Sequence, residues 1–205
     1  MGLHPFRQIN PGVGGERVKF DTRDLALTAV LASLYAVLVI VQGLSAAATV
    51  QLRIADCLIP LSALLGWPAV LGTTLGSLVS NTYTSAAMPN GIYDVIFGPL
   101  ANLIAGSMIY LLRNRKLVGC VTGSALIGLI VGSYVWMIFG APTNIFGFAF
   151  PSTWPVWVVS IAYITVSSLV AIAVVGYVLL AVLSRSRVME SLESRGLKLA
   201  SKRDK

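Results

Sequence analysis

Residues 24–184 hold only seven charged side chains: Asp24, Arg53, Asp56, Asp94, Arg113, Arg115 and Lys116. A surface in water needs polar groups to face it, and a chain this poor in them has too few to cover a soluble core. The surrounding medium must itself be apolar, which means a bilayer. The bulk numbers agree. The 205-residue chain is 56% hydrophobic and 11% charged, with a mean hydropathy of +0.82, where soluble domains average about 25% charged residues.

The basic residues mark the ends. Arg7, Arg17, Lys19 and Arg23 precede the first apolar run, and Arg185, Arg187, Arg195, Lys198, Lys202, Arg203 and Lys205 follow the last. A net charge of +7 can signal nucleic acid, but this placement is that of the positive-inside rule, and no nucleic-acid partner is expected. The chain divides into a polar N-terminal tail (1–23), an apolar body (24–184) and a basic C-terminal tail (185–205). Asp24 is placed to cap the first helix. The length of the polar tail argues against a cleavable signal peptide, so the first run reads as a retained span.

Within the body, apolar segments cover Leu25–Gln42, 51–65, 69–83, Ile92–Leu112, Leu117–Phe139 and Val156–Leu183. Gly66-Trp67-Pro68 interrupts the stretch 51–83, and 84–91 and 140–155 read as loops from their Pro, Gly and Asn content. Charge parity decides whether 51–83 is one span or two. With two, the Arg113–Lys116 cluster and both basic tails share one side, as the positive-inside rule requires. The expected architecture is therefore all-α: a polytopic six-transmembrane-helix bundle with both ends cytoplasmic. Segments 51–65 and 69–83 are short for a hydrocarbon core of about 30 Å, and broken helices are tolerated where their backbone is covered by protein or lines a cavity.

Small residues recur at four-residue spacing in three stripes: Thr28, Ala32 and Ala36; Gly72, Gly76 and Ser80; Ser124, Gly128 and Gly132. Such stripes let helix backbones approach closely. The second and third read as internal packing.

Ionisable groups inside membrane segments are costly and mark function by default. With six spans, Arg53, Asp56, Asn81 and Asp94 gather at the outer face together with the aromatic loop 140–157, which carries Phe146 and Trp154. Arg53 and Asp56 lie three apart and share a helix face, which also suits a structural ion pair. Asp94 opens the fourth span, where a carboxylate is favoured by the helix N-terminus. Charge, amide and aromatic groups converging on one cavity suit a small polar solute. Catalysis has little support. His4 is the sole histidine, Cys57 and Cys120 form no metal-ligand pattern, and there is no HExxH or Walker motif. Tyr93-Asp94 looks like half of an intramembrane aspartyl protease signature, but Asp56, in RIADCL, lacks the glycines of the other half. No catalytic residue, metal or cofactor is expected.

VQLRIAD (50–56), Asn81 and GIYDVIFGPLANLIAG (91–106) resemble the QueT family, substrate-binding subunits of energy-coupling-factor importers implicated in uptake of queuosine precursors. The resemblance covers roughly residues 24–180. The family usually has Glu in place of Asp56 and often Thr in place of Asn102. Membership implies six helices with both ends cytoplasmic and a 7-deazaguanine-like ligand. Asp94, Asp56, Arg53, Asn81 and Asn102 would contact that ligand, and Trp154 and Phe146 would stack on it. Asp94 ranks ahead of Asp56, because it matches the family's residue type. Membership also implies partners, since this chain has no ATPase motif: a transmembrane coupling protein and two ATP-binding subunits. The stripe Thr28, Ala32 and Ala36 is similar to the face such subunits present to the coupling protein. The alternative is a self-sufficient channel or secondary transporter that uses the aspartates as an ion path. The absence of a visible inverted repeat weakens it.

Overall fold

The computed structural model describes residues 21–45, 53–86, 88–140, 144–145, 148–149, 151, 153–185, 190 and 194. Its helices are α1 (Thr22–Ser45), α2 (Ile54–Leu65), α3 (Trp67–Thr84), α4 (Ile92–Leu111), α5 (Lys116–Gly132), α6 (Trp136–Phe139) and α7 (Val156–Leu183). A two-residue antiparallel pair, β1 (Asn144–Ile145) with β2 (Phe148–Ala149), lies inside the expected loop 140–155. Four helices, α1, α4, α7 and α5 with its preceding turn, are long and apolar enough to cross a membrane. The 18 residues of α3 carry more polar groups, and α2 is a shorter apolar helix.

Helix α2 is the centre of the bundle. Every residue from Ala55 to Leu65 is buried. It begins as a 3₁₀ helix (Ile54–Leu61) containing Pro60 and widens into α geometry only at Ser62–Leu65. A 3₁₀ turn rises about 2 Å per residue against about 1.5 Å for an α turn. The segment thus reaches about 22 Å, where an α-helix of the same length would reach about 18 Å. Its irregular backbone is viable only because protein, not lipid, surrounds it. The chain then reverses at Gly66, whose φ of 72° with ψ of −145° is open to glycine and strained for other residues. Pro68 follows in the first turn of α3, where a missing N–H is harmless.

Helices α1 and α3 run parallel, with α2 as the return stroke between them. A Cβ at Gly72 would meet Leu31 and the Thr28 carbonyl, and one at Gly76 would stand 2.7 Å from both the Ala32 carbonyl oxygen and the Tyr35 Cβ. The Gly72–Gly76–Ser80 stripe is therefore internal, as expected. It also corrects the reading of the first stripe as a partner face. Thr28 and Ala36 are buried, and the backbone of Thr28 and Ala32 is occupied by α3. The exposed side of α1 carries Leu25, Val30, Leu34, Val37 and Val41 instead.

The remaining walls follow in antiparallel order: α3 against α4, α4 against α5, α5 against α7. The third stripe packs internally too, with Gly128 and Gly132 against Thr165 and Ile161 of α7 and the Ser124 hydroxyl donating to the Ser168 carbonyl at 3.1 Å. The expected fifth span, Leu117–Phe139, is broken after Gly132, and α6 is a separate turn. Asp24 is not the cap itself. The helix starts at Thr22, and the Asp24 carboxylate accepts from the Asp21 amide at 3.3 Å.

Contacts fix which ends lie together. Trp67 packs on Tyr110 (ring centroids 6.0 Å), the Arg113 guanidinium sits 4.9 Å from the centre of the same ring, and Lys116 Nζ donates to Ser184 Oγ at 2.8 Å. The start of α1, the basic turn and the end of α7 thus share one end of the bundle. At the opposite end the Ile54 amide donates to Gln42 Oε1 at 3.0 Å, so α1 hands over directly to α2.

Middle residues Leu169–Gly176 of α7 widen into a π-helical stretch and lie against α2. A Cβ at Gly176 would stand 2.8 Å from Pro60 Cγ and 2.9 Å from the Cys57 carbonyl oxygen. Gly176→Val should therefore push α7 off the central segment and destabilise the protein by about 1–3 kcal/mol, the usual effect of overpacking. A lowered thermal midpoint in detergent is the expected reading, and an unchanged midpoint would mean that α2 and α7 are loosely packed.

Candidate functional site

The first residues of α2, the end of α3 and the start of α4 meet at the end of the bundle opposite the basic turn. Antiparallel packing of α3 on α4 aligns two rows of i, i+4 spacing: Thr73, Ser77 and Asn81 on α3; Asp94, Gly98 and Asn102 on α4. Asn81 Nδ2 donates to the Asp94 carbonyl at 2.8 Å, and Asn102 Nδ2 reaches the Thr73 carbonyl at 3.4 Å. Gly98 leaves room for the Asn81 amide, which a Cβ there would strike.

Two polar sets grow from these rows. In the first, Arg53 Nη2 donates to Asn81 Oδ1 at 3.0 Å and lies 3.6 Å from Asp94 Oδ2. The Asp94 carboxylate also accepts from Tyr134 OH at 2.9 Å on Oδ1 and from Ser85 Oγ at 2.8 Å on Oδ2. In the second, Tyr35 OH donates to Asp56 Oδ1 at 2.5 Å and accepts from Asn102 Nδ2 at 2.9 Å. Arg53 and Asp56 stand at the start of the same helix, α2, which links the two sets. The loop between α3 and α4 is folded tightly over the first set. Its Asn90, at φ 60°, donates to the Met137 carbonyl of α6 at 3.3 Å, and asparagine is among the few residues that tolerate that conformation.

Of the residues expected from sequence, Arg53, Asp56, Asn81, Asp94 and Asn102 come together. Arg53 does not pair with Asp56 as their spacing allowed. Its short-range ion partner is Asp94, because Arg53 stands ahead of the helix with non-helical backbone (φ −76°, ψ 87°), and positions three apart share a face only where both are helical. Asp94, expected at the start of the fourth span, lies there, 1% exposed and with both oxygens engaged. Trp154 stands 48% exposed ahead of α7, away from the carboxylates in every described contact. Phe146 lies outside the described residues. The rings beside Asp94 are Phe97 and Tyr134, with centroids 5.9 Å apart, and Tyr93 stacks on Phe97.

Tyr35, Tyr134 and Ser85 were not singled out from the sequence. The signal was present for the tyrosines. A phenol in an apolar run needs a hydrogen-bond partner, and the partner sought in each case is a carboxylate. Nothing in the sequence marks Ser85 above the other serines. No group of His, Cys, Asp or Glu able to hold a metal occurs among the described residues.

A bundle of apolar helices with a charged, hydrogen-bonded cluster buried near one end is the interior of a membrane protein. The chain matches the QueT transporter family over residues 25–185 and belongs to that family. It is thus a transport protein of the membrane. No curated protein and no solved structure matches the chain.

Asp94→Asn retains shape but turns one acceptor into a donor facing the Tyr134 or Ser85 hydroxyl and removes the charge beside Arg53. The ligand-free protein should lose about 1–3 kcal/mol, the usual effect of leaving buried groups unpaired. A lowered thermal midpoint in detergent checks this, and an unchanged one would return Asp94 to the role of a free carboxylate.

Proposed function

We propose that the protein is the substrate-capture subunit of an energy-coupling-factor importer, binding a 7-deazaguanine-like queuosine precursor at the outer face. The carrying observation is the asymmetry of the interior. Arg53, Asp56, Asn81 and Asp94 are gathered toward one end, whereas the interior toward the basic end is filled by Ile59, Leu61, Leu64, Leu65, Ala105, Ile109 and Leu180. A polar site near one end, backed by an apolar core toward the other, suits capture of a solute better than its conduction. This favours capture over the channel or secondary-transporter reading.

Chemistry supports the ligand class. A guanine-like base presents a ring N–H beside an exocyclic amine, which a carboxylate matches with two acceptor oxygens, and a carbonyl, which a guanidinium matches with donors. Charge-assisted bonds of this kind are the strong ones. Asn81 and Asn102 supply further amide groups. Phe97 and Tyr134 offer the rings nearest the carboxylate, and Trp154 and Phe146 remain candidates for closing over the base from the 140–157 loop.

In this reading α2 and α3 both cross the bilayer, giving six crossings, and the basic end with both termini faces the cytoplasm. Partners supply the energy: a transmembrane coupling protein and two ATP-binding subunits. With Thr28 and Ala36 buried, any coupling surface on α1 involves Ala32 and the exposed residues around it.

Mass spectrometry of small molecules that copurify with the detergent-solubilised protein tests the ligand class directly. A 7-deazapurine is expected, and an inorganic ion or an unrelated solute would overturn the assignment. Uptake in cells should vanish when the ATP-binding subunits are deleted, and uptake that persists would restore the self-sufficient reading. For topology, a cysteine placed at Asn90 should react with an impermeant reagent added outside, and one at Asn114 should not. The reverse pattern would invert the orientation.

A further inference from the structure

The two buried carboxylates are not equivalent. Asp94 is 1% exposed, and Tyr134, Ser85 and Arg53 engage both of its oxygens. Asp56 is 4% exposed, and among the described residues its carboxylate has a single hydrogen-bond partner, Tyr35, on Oδ1. An ionised carboxylate can accept about four hydrogen bonds. Asp94 accepts a hydrogen bond on each oxygen and faces an ion partner, and Asp56 accepts one on a single oxygen, so Asp56 keeps the larger share of its capacity for a ligand.

A second feature lies on α3. Ser77 occupies the middle of the α3 row, one turn from Thr73 and one turn from Asn81. One turn further along α3, Asn81 meets Asp94, and one turn back the Thr73 carbonyl is reached by Asn102. Gly76, the neighbour of Ser77, packs on Tyr35, whose hydroxyl reaches Asp56. Along α3, Ser77 thus falls between the level of Asn81, which meets the Arg53–Asp94 set, and the level of Thr73, which Asn102 of the Asp56–Tyr35 set reaches. The Ser77 hydroxyl is fully buried and has no hydrogen-bond partner. Native proteins rarely leave such a group unpaired, and an orphan inside a polar cluster asks for a partner that is not part of the chain. Ser62 and Ser160 have orphan hydroxyls as well, but they belong to α2 and α7 and lie outside this row.

We infer that Asp56 and Ser77 are the groups that contact the ligand, Asp56 reading its donor edge and Ser77 bonding an acceptor atom of the base, while Asp94 is a positioning residue that orients Arg53. This rests on the reading of the site as one for a 7-deazaguanine-like base. Tyr35 holds one oxygen of Asp56, and Asn102 holds Tyr35 in turn, so the carboxylate is fixed with its remaining acceptor positions directed to the ligand. Asp94, clamped by Tyr134 and Ser85, fixes the guanidinium that faces the carbonyl of the base.

The test uses the full chain in detergent with two probes: 7-deazaguanine, and 7-deazahypoxanthine, which lacks only the exocyclic amine. Binding is measured by calorimetry, and the thermal midpoint is recorded without ligand. The wild type should prefer 7-deazaguanine by about tenfold or more, the value of one good hydrogen bond to a charged group. Asp56→Asn should reduce that preference to within about twofold, because the one acceptor oxygen that remains is the one Tyr35 holds and the other becomes a donor. Ser77→Ala should weaken both probes by about three- to tenfold while leaving the ligand-free midpoint unchanged or raised, since it removes an orphan hydroxyl. Asp94→Asn should lower the midpoint and weaken both probes without changing the preference. Retention of the preference by Asp56→Asn, or wild-type affinity in Ser77→Ala, overturns the assignment while the 7-deazaguanine reading stands. Failure of the wild type to bind either probe removes that reading and this inference with it. Ser77→Ala is small and conservative, so its arm decides the matter even where Asp56→Asn does not fold.

Discussion

The backbone of α2 is the constraint around which the bundle is arranged. In a bilayer, each unsatisfied peptide group is costly, and a 3₁₀ segment with an internal proline satisfies its own groups less well than an α-helix. It must therefore be sheathed, and α1, α3, α4, α5 and α7 all contact it. That requirement explains the narrow seams. Gly72 and Gly76 bring α3 onto α1, and Gly176 brings α7 onto Pro60. Helices with larger side chains at those positions could not close around so slender a core. The extended rise of the segment also lets a short stretch of chain run back between two parallel helices, which places the end of α1 beside the start of α2 and both close to the site.

The same segment delivers the charge. Arg53 immediately precedes α2, and Asp56 is in its first turn. Side chains on the other walls meet them: Tyr35 from α1, Asn81 from α3, Asp94 and Asn102 from α4, and Tyr134 from the turn after α5. No single helix builds the site, so its geometry holds only while the walls remain in register. Most buried members are already bonded to each other, and such preorganisation lowers the ordering cost of binding a solute.

Much of this could be read from the sequence, and the failures have physical causes. Helix positions followed from apolar runs and their Pro/Gly punctuation, and the stripe at Gly72–Gly76–Ser80 followed from small-residue spacing. Five polar residues of the cluster, Arg53, Asp56, Asn81, Asp94 and Asn102, followed from the rarity of such groups in apolar segments and from the resemblance of their motifs. What failed was direction. A small-residue stripe does not say which neighbour it meets, and Thr28–Ala32–Ala36 turned out to face α3. An i, i+3 spacing implies a shared face only where both residues are helical, and Arg53 stands ahead of α2 with non-helical backbone, so it is paired with Asp94 instead of Asp56. Exposure cannot be read from position in the chain. Asp94 opens a helix at the end of the bundle and is nevertheless almost wholly covered, because the loop carrying Ser85 and Asn90 folds back over it.

The hydrogen-bond inventory adds a distinction that burial alone does not make. Asp56 and Asp94 are both buried acids of the same type near the same arginine. They differ in how much of their acceptor capacity the protein uses. A carboxylate bonded on both oxygens stabilises the bundle, and its replacement is felt before any ligand arrives. A partly used one leaves the free protein short of partners and is completed by what enters. Ser77 extends the comparison to a neutral group, since its hydroxyl contributes nothing to the folded chain's own bonding. In a membrane interior, where water is scarce as an alternative partner, unspent hydrogen-bonding capacity inside a rigid polar cluster is the property that separates groups that hold the site from groups that bind through it.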